Sequence, residues 1–484
     1  MTKSKKTKVS VTLQQPHLSV QFRVWSPKQV LDDFLQASPF ITMKAIPKVQ
    51  DKLFSNLRQF KHDALHTMIQ WQHDYGDIVE FNLGLQRFYL LSHAQLVEQA
   101  LVQQSDVFVK MYSPDKPKGL ALILGQGLLT SQGELWRKQR QLIQPMLQKR
   151  HLAQLLPQMQ QAGNQMLQRW QQLGNAATID VGQEMLQLAL EVITQTMFST
   201  SVLEHVEKIA PALDISLKHA ARTISNPFSP PLWLPTPNNL AFKQARDFLD
   251  GIIYGMIEQR RQQNTAQPDL LNLLLNAEDN REKMSDKQIR DEVITIFTAG
   301  HETTANALTW TLFLLSQHPD IVQKLQQELD EVLNGQIADN QSIPNLIYTR
   351  AVLNEAMRLY PPAGILMRRV SKDTELNGYA LKKGSLAIMC IYNIHHHQEL
   401  WSQPEHFRPE RFLTETKHKF SHIPFGIGAR MCVGNQFALF EMTLLLSMMV
   451  QHYDFKLLSS PRIDMDMNVS IRPKQNIMMQ LMAR

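Results

Sequence analysis

The stretch that decides this chain is Phe425-Gly426-Ile427-Gly428-Ala429-Arg430-Met431-Cys432-Val433-Gly434, followed at once by the apolar run NQFALFEMTLLLSMMV. It fits F-x-x-G-x-R-x-C-x-G, whose five fixed positions would coincide by chance in about one in ten thousand chains of ordinary composition. The residue types suit an anionic sulfur. Glycines let backbone N–H groups approach it closely. A helix starting just past Cys432 would aim its positive end at the thiolate and lower the cost of keeping it ionised. The competing reading is a glycine-rich turn around a buried structural cysteine. A nucleotide-binding glycine loop fits poorly, because Met431 stands where a small residue is needed and no clear strand comes first.

The rest of the chain supplies a large body around that loop. It has 484 residues, 43% hydrophobic and 19% charged. That is enough apolar mass for a large core, and it excludes pervasive disorder and fibrous repeats. The length allows two or three domains, but no linker or repeat interrupts it, so one domain is expected. A formal charge of +6 allows an acidic partner or an anionic membrane surface. Zinc-finger spacings and basic runs interleaved with aromatics are missing, so no nucleic-acid partner is expected. Two cysteines, Cys390 and Cys432, are too few for a disulfide framework and point to a reducing compartment. Cys390 reads as a small buried apolar residue. No apolar run reaches eighteen residues, so no transmembrane anchor is expected. The N-terminus MTKSKKTKVS lacks the apolar segment of a signal peptide and reads as a solvated tail.

Alternation at 78–83 and 88–91 predicts a small hairpin. From about 93 to 360 the apolar period is helical. Residues 225–239 hold five prolines and read as a loop between helices. Ser285 followed by Gln288 is a capping box. It opens a helix over 286–318, about 50 Å long at 1.5 Å per residue. A helix so long and apolar must cross the interior. Short strands return at 369–370, 386–388 and 469–471. The fold class is mainly α with a minor β portion.

Four further groups carry polar residues in unusual places. Glu355 and Arg358 share one helix face, ahead of Pro361-Pro362 and the segment Phe407-Arg408-Pro409-Glu410-Arg411-Phe412. Trp136 and Arg140 lie one turn apart, which alone could be a boundary tryptophan and a surface arginine. Ala299-Gly300-His301-Glu302-Thr303-Thr304 puts polar side chains in the middle of the long helix, costly unless they are used. The ordinary reading of Thr303 is a bond back to its own helix. A zinc-protease reading fails because Ala305 stands where the second histidine is needed. His395-His396-His397 looks like a metal cluster, but three consecutive residues do not easily converge on one ion.

Together these motifs resemble the cytochrome P450 family, from about residue 60 to the end. The length and motif spelling are similar to the microsomal-type group, and the lack of an anchor is similar to soluble bacterial members. The resemblance implies a single triangular helical domain around haem b, spanning 51–484 behind a tail and leading segment at 1–50. It makes Cys432 the axial iron ligand, whose electron push favours O–O cleavage. Trp136, Arg140, Arg368 and Arg430 would hold the haem propionates. Arg369 adjoins Arg368, which leaves that register open. Phe425 and Gly434 would flank the ring and the sulfur, and small Ala299 and Gly300 would leave room for O2.

Glu302 and Thr303 would supply protons. Glu355, Arg358 and Arg411 would form a structural cluster. The substrate pocket would include Ile294, Phe297, Thr298, Ala363, Gly364 and Val469, with Asn468 and parts of 108–129. The activity implied is a monooxygenase placing one oxygen atom of O2 into a lipophilic substrate, namely a fatty acid, alkane, terpene or steroid. Electrons would come from NAD(P)H through a separate ferredoxin or flavin reductase, steered by Arg137, Lys138, Arg140, Lys149, Arg150, Lys417 and Lys419. The protein is expected to be a cytoplasmic monomer with peripheral membrane contact. Two alternatives remain: a peroxygenase or hydroperoxide isomerase, relatives that often lack the acid–alcohol pair, and a non-enzymatic haem sensor.

Overall fold

The helical period read from the sequence becomes a stack of long helices, with a five-stranded sheet and four smaller ones among the described residues. The computed structural model describes residues 44–50, 55–111, 117–200, 206–225, 229–263, 267–279, 282–414, 419–467 and 469–484. The basic N-terminal tail, Lys417 and Asn468 lie outside the described residues, as do 112–116 of the expected pocket segment. Residues Ala45–Arg484 form one compact unit.

Helix α1 (Ala64–Tyr75) begins where the Asp63 carboxylate accepts the His66 N–H at 2.9 Å, a side-chain cap for an orphan donor. The hairpin forms as read: β1 (Ile78–Leu83) and β2 (Gln86–Leu91) pair antiparallel, from Ile78 opposite Leu91 to Leu83 opposite Gln86. A two-residue strand, β3 (Phe108–Val109), precedes the helical body. That body includes α2 (Gly133–Ile143), α3 (Lys149–Leu173), α4 (Val181–Phe198), α5 (Val206–Ser225), α6 (Pro237–Gln263), α7 (Asp286–Leu315) and α8 (Ile347–Leu359). Then come β4 (Ile365–Val370), β5 (Leu386–Cys390), α9 (Asn435–His452) and a hairpin near the C-terminus of β6 (Met465–Met467) and β7 (Ile471–Pro473), followed by a last strand, Met478–Ala483.

The order in the five-stranded sheet is β1-β2-β5-β4-β3, with β5 parallel to β2 and the other pairs antiparallel. It brings β3 and β4, far apart in sequence, side by side at one edge.

Helix α7 is the interior spine. Both halves of its capping box are present at Ser285 and Gln288. It packs along α4 so closely that a Cβ on Gly300 would meet Ile193 Cδ1 at 2.7 Å. Three boundaries differ from expectation. The helix ends at Leu315 rather than 318. His318 precedes Pro319, the first residue of the next helix, and the proline ring disfavours helical geometry at the residue before it. The proline-rich loop stops earlier than 239, because Pro237 begins α6, a position where its missing N–H costs nothing. Val469 and Ser470 lie in the turn before β7, and only Ile471 of 469–471 is in a strand. Cys390 is fully buried, and burial pushes its thiol up to about 12. Among the described residues, no helix is long and apolar enough to cross a membrane.

Candidate active site

The cysteine loop is built from its glycines. Gly426 and Gly428 have φ of +70° and +74°, which glycine adopts without strain. Gly428 also has no room for a side chain, since a Cβ would sit 2.1 Å from the Leu101 carbonyl oxygen. The Cys432 N–H donates to the Phe425 carbonyl at 2.9 Å and closes the loop. Helix α9 starts three residues after Cys432. Burial raises the Cys432 thiol, while the Gly434 N–H and the charge of Arg140 pull it back down. Arg140 also donates to the Met431 carbonyl at 3.0 Å.

Cys432 combines two properties that look contradictory. Protein surrounds it closely enough to desolvate the thiol, yet its own surface is exposed. The sulfur is thus packed among protein groups while part of the residue stays open. Ala299, in the middle of the otherwise buried α7, is exposed in the same way.

Cations collect near the cysteine loop. Arg430 lies 3.9 Å over the Trp136 ring, and its Nη1 is buried without a hydrogen-bond partner. Burial, with repulsion from Arg368 and Arg140, pushes Arg430 down to about 10. Arg368 is buried and Arg369 exposed, because β4 alternates its faces. Of the two adjacent arginines, Arg368 is therefore the one turned into the protein. Lys110, just past β3, is held well below the usual lysine range by burial and by repulsion from Arg368 and Arg430.

The sequence reading missed Lys110. Its signal is tertiary: β3 pairs with β4, so Lys110 follows Val109, which sits opposite Arg369. A desolvated set of like charges with an orphaned guanidinium nitrogen calls for an anionic ligand. The two propionates of a haem would fit that donor set.

The Glu355 cluster assembles behind the loop. Glu355 and Arg358 are both fully buried. Arg358 Nε and Nη2 donate to the two Glu355 oxygens at 2.8 and 2.9 Å, and Arg411 Nε donates at 3.0 Å. The Arg408 N–H adds a fourth bond at 2.9 Å. Arg358 Nη1 reaches the His395 carbonyl at 2.8 Å, and His395 Nε2 accepts the Ile423 N–H at 2.9 Å. His395 therefore links this knot to the segment entering the cysteine loop, a role the sequence did not reveal.

The histidine run diverges. His396 bonds the Tyr392 carbonyl at 2.9 Å, and His397 Nε2 meets Asp77 Oδ1 at 2.9 Å. His93 and Asp77 do approach His397 closely enough to outline a metal site. However, Nδ1 of His93 accepts the Gln95 N–H and Nδ1 of His397 accepts the Glu399 N–H. In the neutral rings that places the proton on each Nε2, whereas a metal-ligating imidazole donates its other N–H.

On α7, Thr303 Oγ1 donates to the Ala299 carbonyl at 2.6 Å, so the local bond is present and the hydroxyl keeps acceptor capacity for a ligand. Glu302 Oε1 accepts from Ser470 Oγ at 2.7 Å. Burial raises its carboxyl, partly offset by Ser470 and by the charge of Arg472. Thr304 Oγ1 donates to Glu441 of α9 at 3.4 Å, and burial pushes Glu441 up to about 8. That contact ties the spine to the helix that follows Cys432.

Of the expected pocket residues, Ile294 and Phe297 are buried. Thr298, Ala363 and Val469 are half-buried. Gly364 is packed so tightly that a Cβ would meet Ile471 Cδ1 at 2.4 Å. A groove of about 530 Å³ between α2, α6 and α7 has no residue of the cysteine loop in its lining. Its lining Arg290 is paired with Asp250 and Asp291, so we assign the chemistry to the cysteine site.

Comparison with known proteins agrees with this geometry. A family profile described as Cytochrome P450 matches residues 47–481. Cyclooctat-9-en-7-ol 5-monooxygenase of Streptomyces melanosporofaciens is 33% identical, over 79% of this chain and 85% of that protein. Pentalenene oxygenase of Streptomyces avermitilis is 32% identical, over 82% and 87%. Carotene epsilon-monooxygenase of Arabidopsis thaliana is 29% identical, over 86% and 81%. The loop around Cys432, the cation set fitting a haem and the reach of these matches lead to one assignment: the chain belongs to the cytochrome P450 family, a haem-thiolate monooxygenase that takes haem b, a lipophilic substrate, O2 and a redox partner.

Proposed function

We propose that this monooxygenase oxidises an olefinic, hydrocarbon-rich substrate of the terpene class, with Cys432 as the axial iron ligand. The observation that carries the site is the sulfur itself: exposed, approached by the Gly434 N–H and flanked by Arg140. Lys110, Arg140, Arg368, Arg430 and Trp136 would hold the propionates, and Phe425 would pack near the ring. The relatives' names, built on cyclooctat-9-en-7-ol, pentalenene and carotene, support the substrate class. The apolar lining by Ile294, Phe297, Ala363 and Val469 suits it. The body from residue 51 onward acts as one haem-binding domain, and the protein acts as a monomer.

The bound haem supplies the redox chemistry that divides O2, one oxygen entering a C–H bond and the other leaving as water, with two electrons and two protons consumed. The protein supplies the rest. The Gly434 N–H and Arg140 keep the sulfur anionic. Ala299 leaves space on the α7 side. Glu302 delivers protons, and Thr303 orients the hydrogen bond that receives them.

Electrons arrive from a ferredoxin or flavin reductase. Exposed Arg137, Lys138, Lys149, Arg150 and Lys419 support an acidic docking partner. We also propose a cytoplasmic enzyme in peripheral contact with membranes. Trp233, 76% exposed beside exposed Leu234 and Leu240, supports this.

The test is the absorption spectrum of the dithionite-reduced, carbon monoxide-bound protein. A strongly red-shifted Soret band, lost in Cys432→Ala, is expected. Its absence with haem bound overturns Cys432 as thiolate ligand. Conversion of pentalenene-like olefins, with no conversion of fatty acids, is the outcome expected for the substrate class.

A further inference from the structure

Glu302 is held by residues from a different part of the chain. Its Oε1 accepts from Ser470 Oγ, and that hydroxyl accepts from Asn306 Nδ2 at 3.0 Å. Ser470 and Asn306 are both buried. An amide N–H donating to a hydroxyl occupies one of its lone pairs and directs its hydrogen elsewhere, here to Glu302. One carboxyl oxygen is thus tied, and Oε2 is left to carry a proton.

Two residues beyond Ser470, Arg472 donates to Asp214 of α5 at 2.8 Å and to Asp466 of β6 at 3.2 Å. Lys218 closes on Asp214 at 2.7 Å. This charged group is partly exposed, and its charges act on Glu302. Two groups of polar residues therefore bear on Glu302 in the spine, Ser470 and Asn306 through hydrogen bonds and the half-open hairpin's charges through space. Polar groups so placed are costly unless they are used.

We propose that Ser470 is a positioning residue for proton delivery, fixing the Glu302 carboxyl from the turn between β6 and β7, and that Arg472 with Asp214 and Asp466 forms the solvent end of the route. The inference rests on the reading of Glu302 as proton donor. No step beyond proton transfer is involved: Glu302 gives its proton from Oε2 and regains one from water at the Arg472 end.

The experiment uses the haem-loaded enzyme with its redox partner, and compares Ser470→Ala, Ser470→Thr, Asn306→Ala and Glu302→Gln. The reduced carbon monoxide spectrum of each variant checks folding. The first readout is the infrared carbonyl band of the Glu302 acid, identified as the band lost in Glu302→Gln. Ser470→Ala is expected to move it to higher wavenumber, and Ser470→Thr to restore it. The second readout is product formed per O2 consumed. It is expected to fall about fivefold in Ser470→Ala, the equivalent of one hydrogen bond, with the substrate KM unchanged. Asn306→Ala should act in the same direction and more weakly, and it stands in if Ser470→Ala fails to fold.

An unmoved band overturns the proposal, and so does a moved band with unchanged coupling. If Glu302→Gln uncouples while Ser470→Ala and Asn306→Ala do not, this inference alone falls. If Glu302→Gln leaves coupling intact, the reading of Glu302 as proton donor falls and takes the inference with it.

Discussion

Glu355 and Glu302 are both glutamates set deep in the protein on neighbouring helices, and they are treated in opposite ways. Glu355 receives four hydrogen bonds from Arg358, Arg411 and the Arg408 backbone. Two guanidinium groups face one carboxylate, so its charge is fully answered and its lone pairs are committed. Glu302 has one serine hydroxyl and a distant arginine, and burial pushes its carboxyl upward. The contrast teaches that the number of cations facing a buried carboxyl decides its use. With matched cations it is a structural pin. With one neutral partner it holds a proton that it can give away.

The largest expected effect tests the pin. Glu355→Gln leaves Arg358 and Arg411 buried beside each other without their counter-charge. Breaking such a pair costs about 3–5 kcal/mol. Denaturant unfolding should show that loss, and the haem content of the purified variant should fall with it. A stable, haem-replete Glu355→Gln protein would break the comparison.

Glu302→Gln should behave otherwise, with a stability change of less than about 1 kcal/mol. The pH dependence gives a sharper test. Because the native carboxyl lies above its unfolded value, the native state binds more protons in that interval. The contribution of Glu302 to stability therefore falls as pH rises from the ordinary carboxylate value through the raised native one. Unfolding measured across that interval should show the slope in the wild type and a smaller one in Glu302→Gln. Identical slopes would mean that Glu302 is as firmly ionised as a pin.

Arg472→Gln probes the same acid from outside. Arg472 lowers the Glu302 carboxyl, while Asp214 and Asp466 raise it. Removing the guanidinium leaves the two acids acting, with Lys218 still on Asp214. The alkaline limb of the coupling profile should then move to higher pH. A shift to lower pH would show that Arg472 does not act on Glu302 through its charge.

What was legible in the sequence was local. The cysteine loop, the capping box at Ser285 and the spacing of Glu355 and Arg358 each lie within a few turns of chain, where residue type and period suffice. The groups missed act across the fold. Lys110 matters because a two-residue strand, β3, pairs with β4, which carries Arg368. Which of Arg368 and Arg369 is buried depends on the pleat of β4 against β5, where Arg368 pairs with Ala387. His395 and Ser470 each bond a residue from a distant segment. No spacing rule connects position 302 to 470. Helix ends were misplaced at Pro319 and Pro237, where proline acts on its neighbours and on its own position.

The smallest expected effect concerns a pair between the two extremes. His397 and Asp77 join the loop before β1 to the turn after β5 at 2.9 Å, with Asp77 about one-third exposed. Asp77 raises the imidazole above its ordinary value. The Asp77 carboxyl ends below its own, because bonds to His397 and the charge of His93 outweigh burial, the largest single influence. The signs follow. The histidine contribution is fully present below the ordinary imidazole value of 6.5 and is lost as pH rises through the raised native value. The aspartate contribution is present above the ordinary carboxylate value of 3.8 and is lost as pH falls through the depressed native value. The pair therefore works best between those two values. There, His397→Gln should cost about 1 kcal/mol, discounted for solvent around Asp77, and it should cost less in alkaline solution. A cost independent of pH would place this pair with Glu355, among the pins. A cost that vanishes above neutrality would show that an ion pair with one partner open to water is governed by the histidine's proton, as Glu302 is governed by its own.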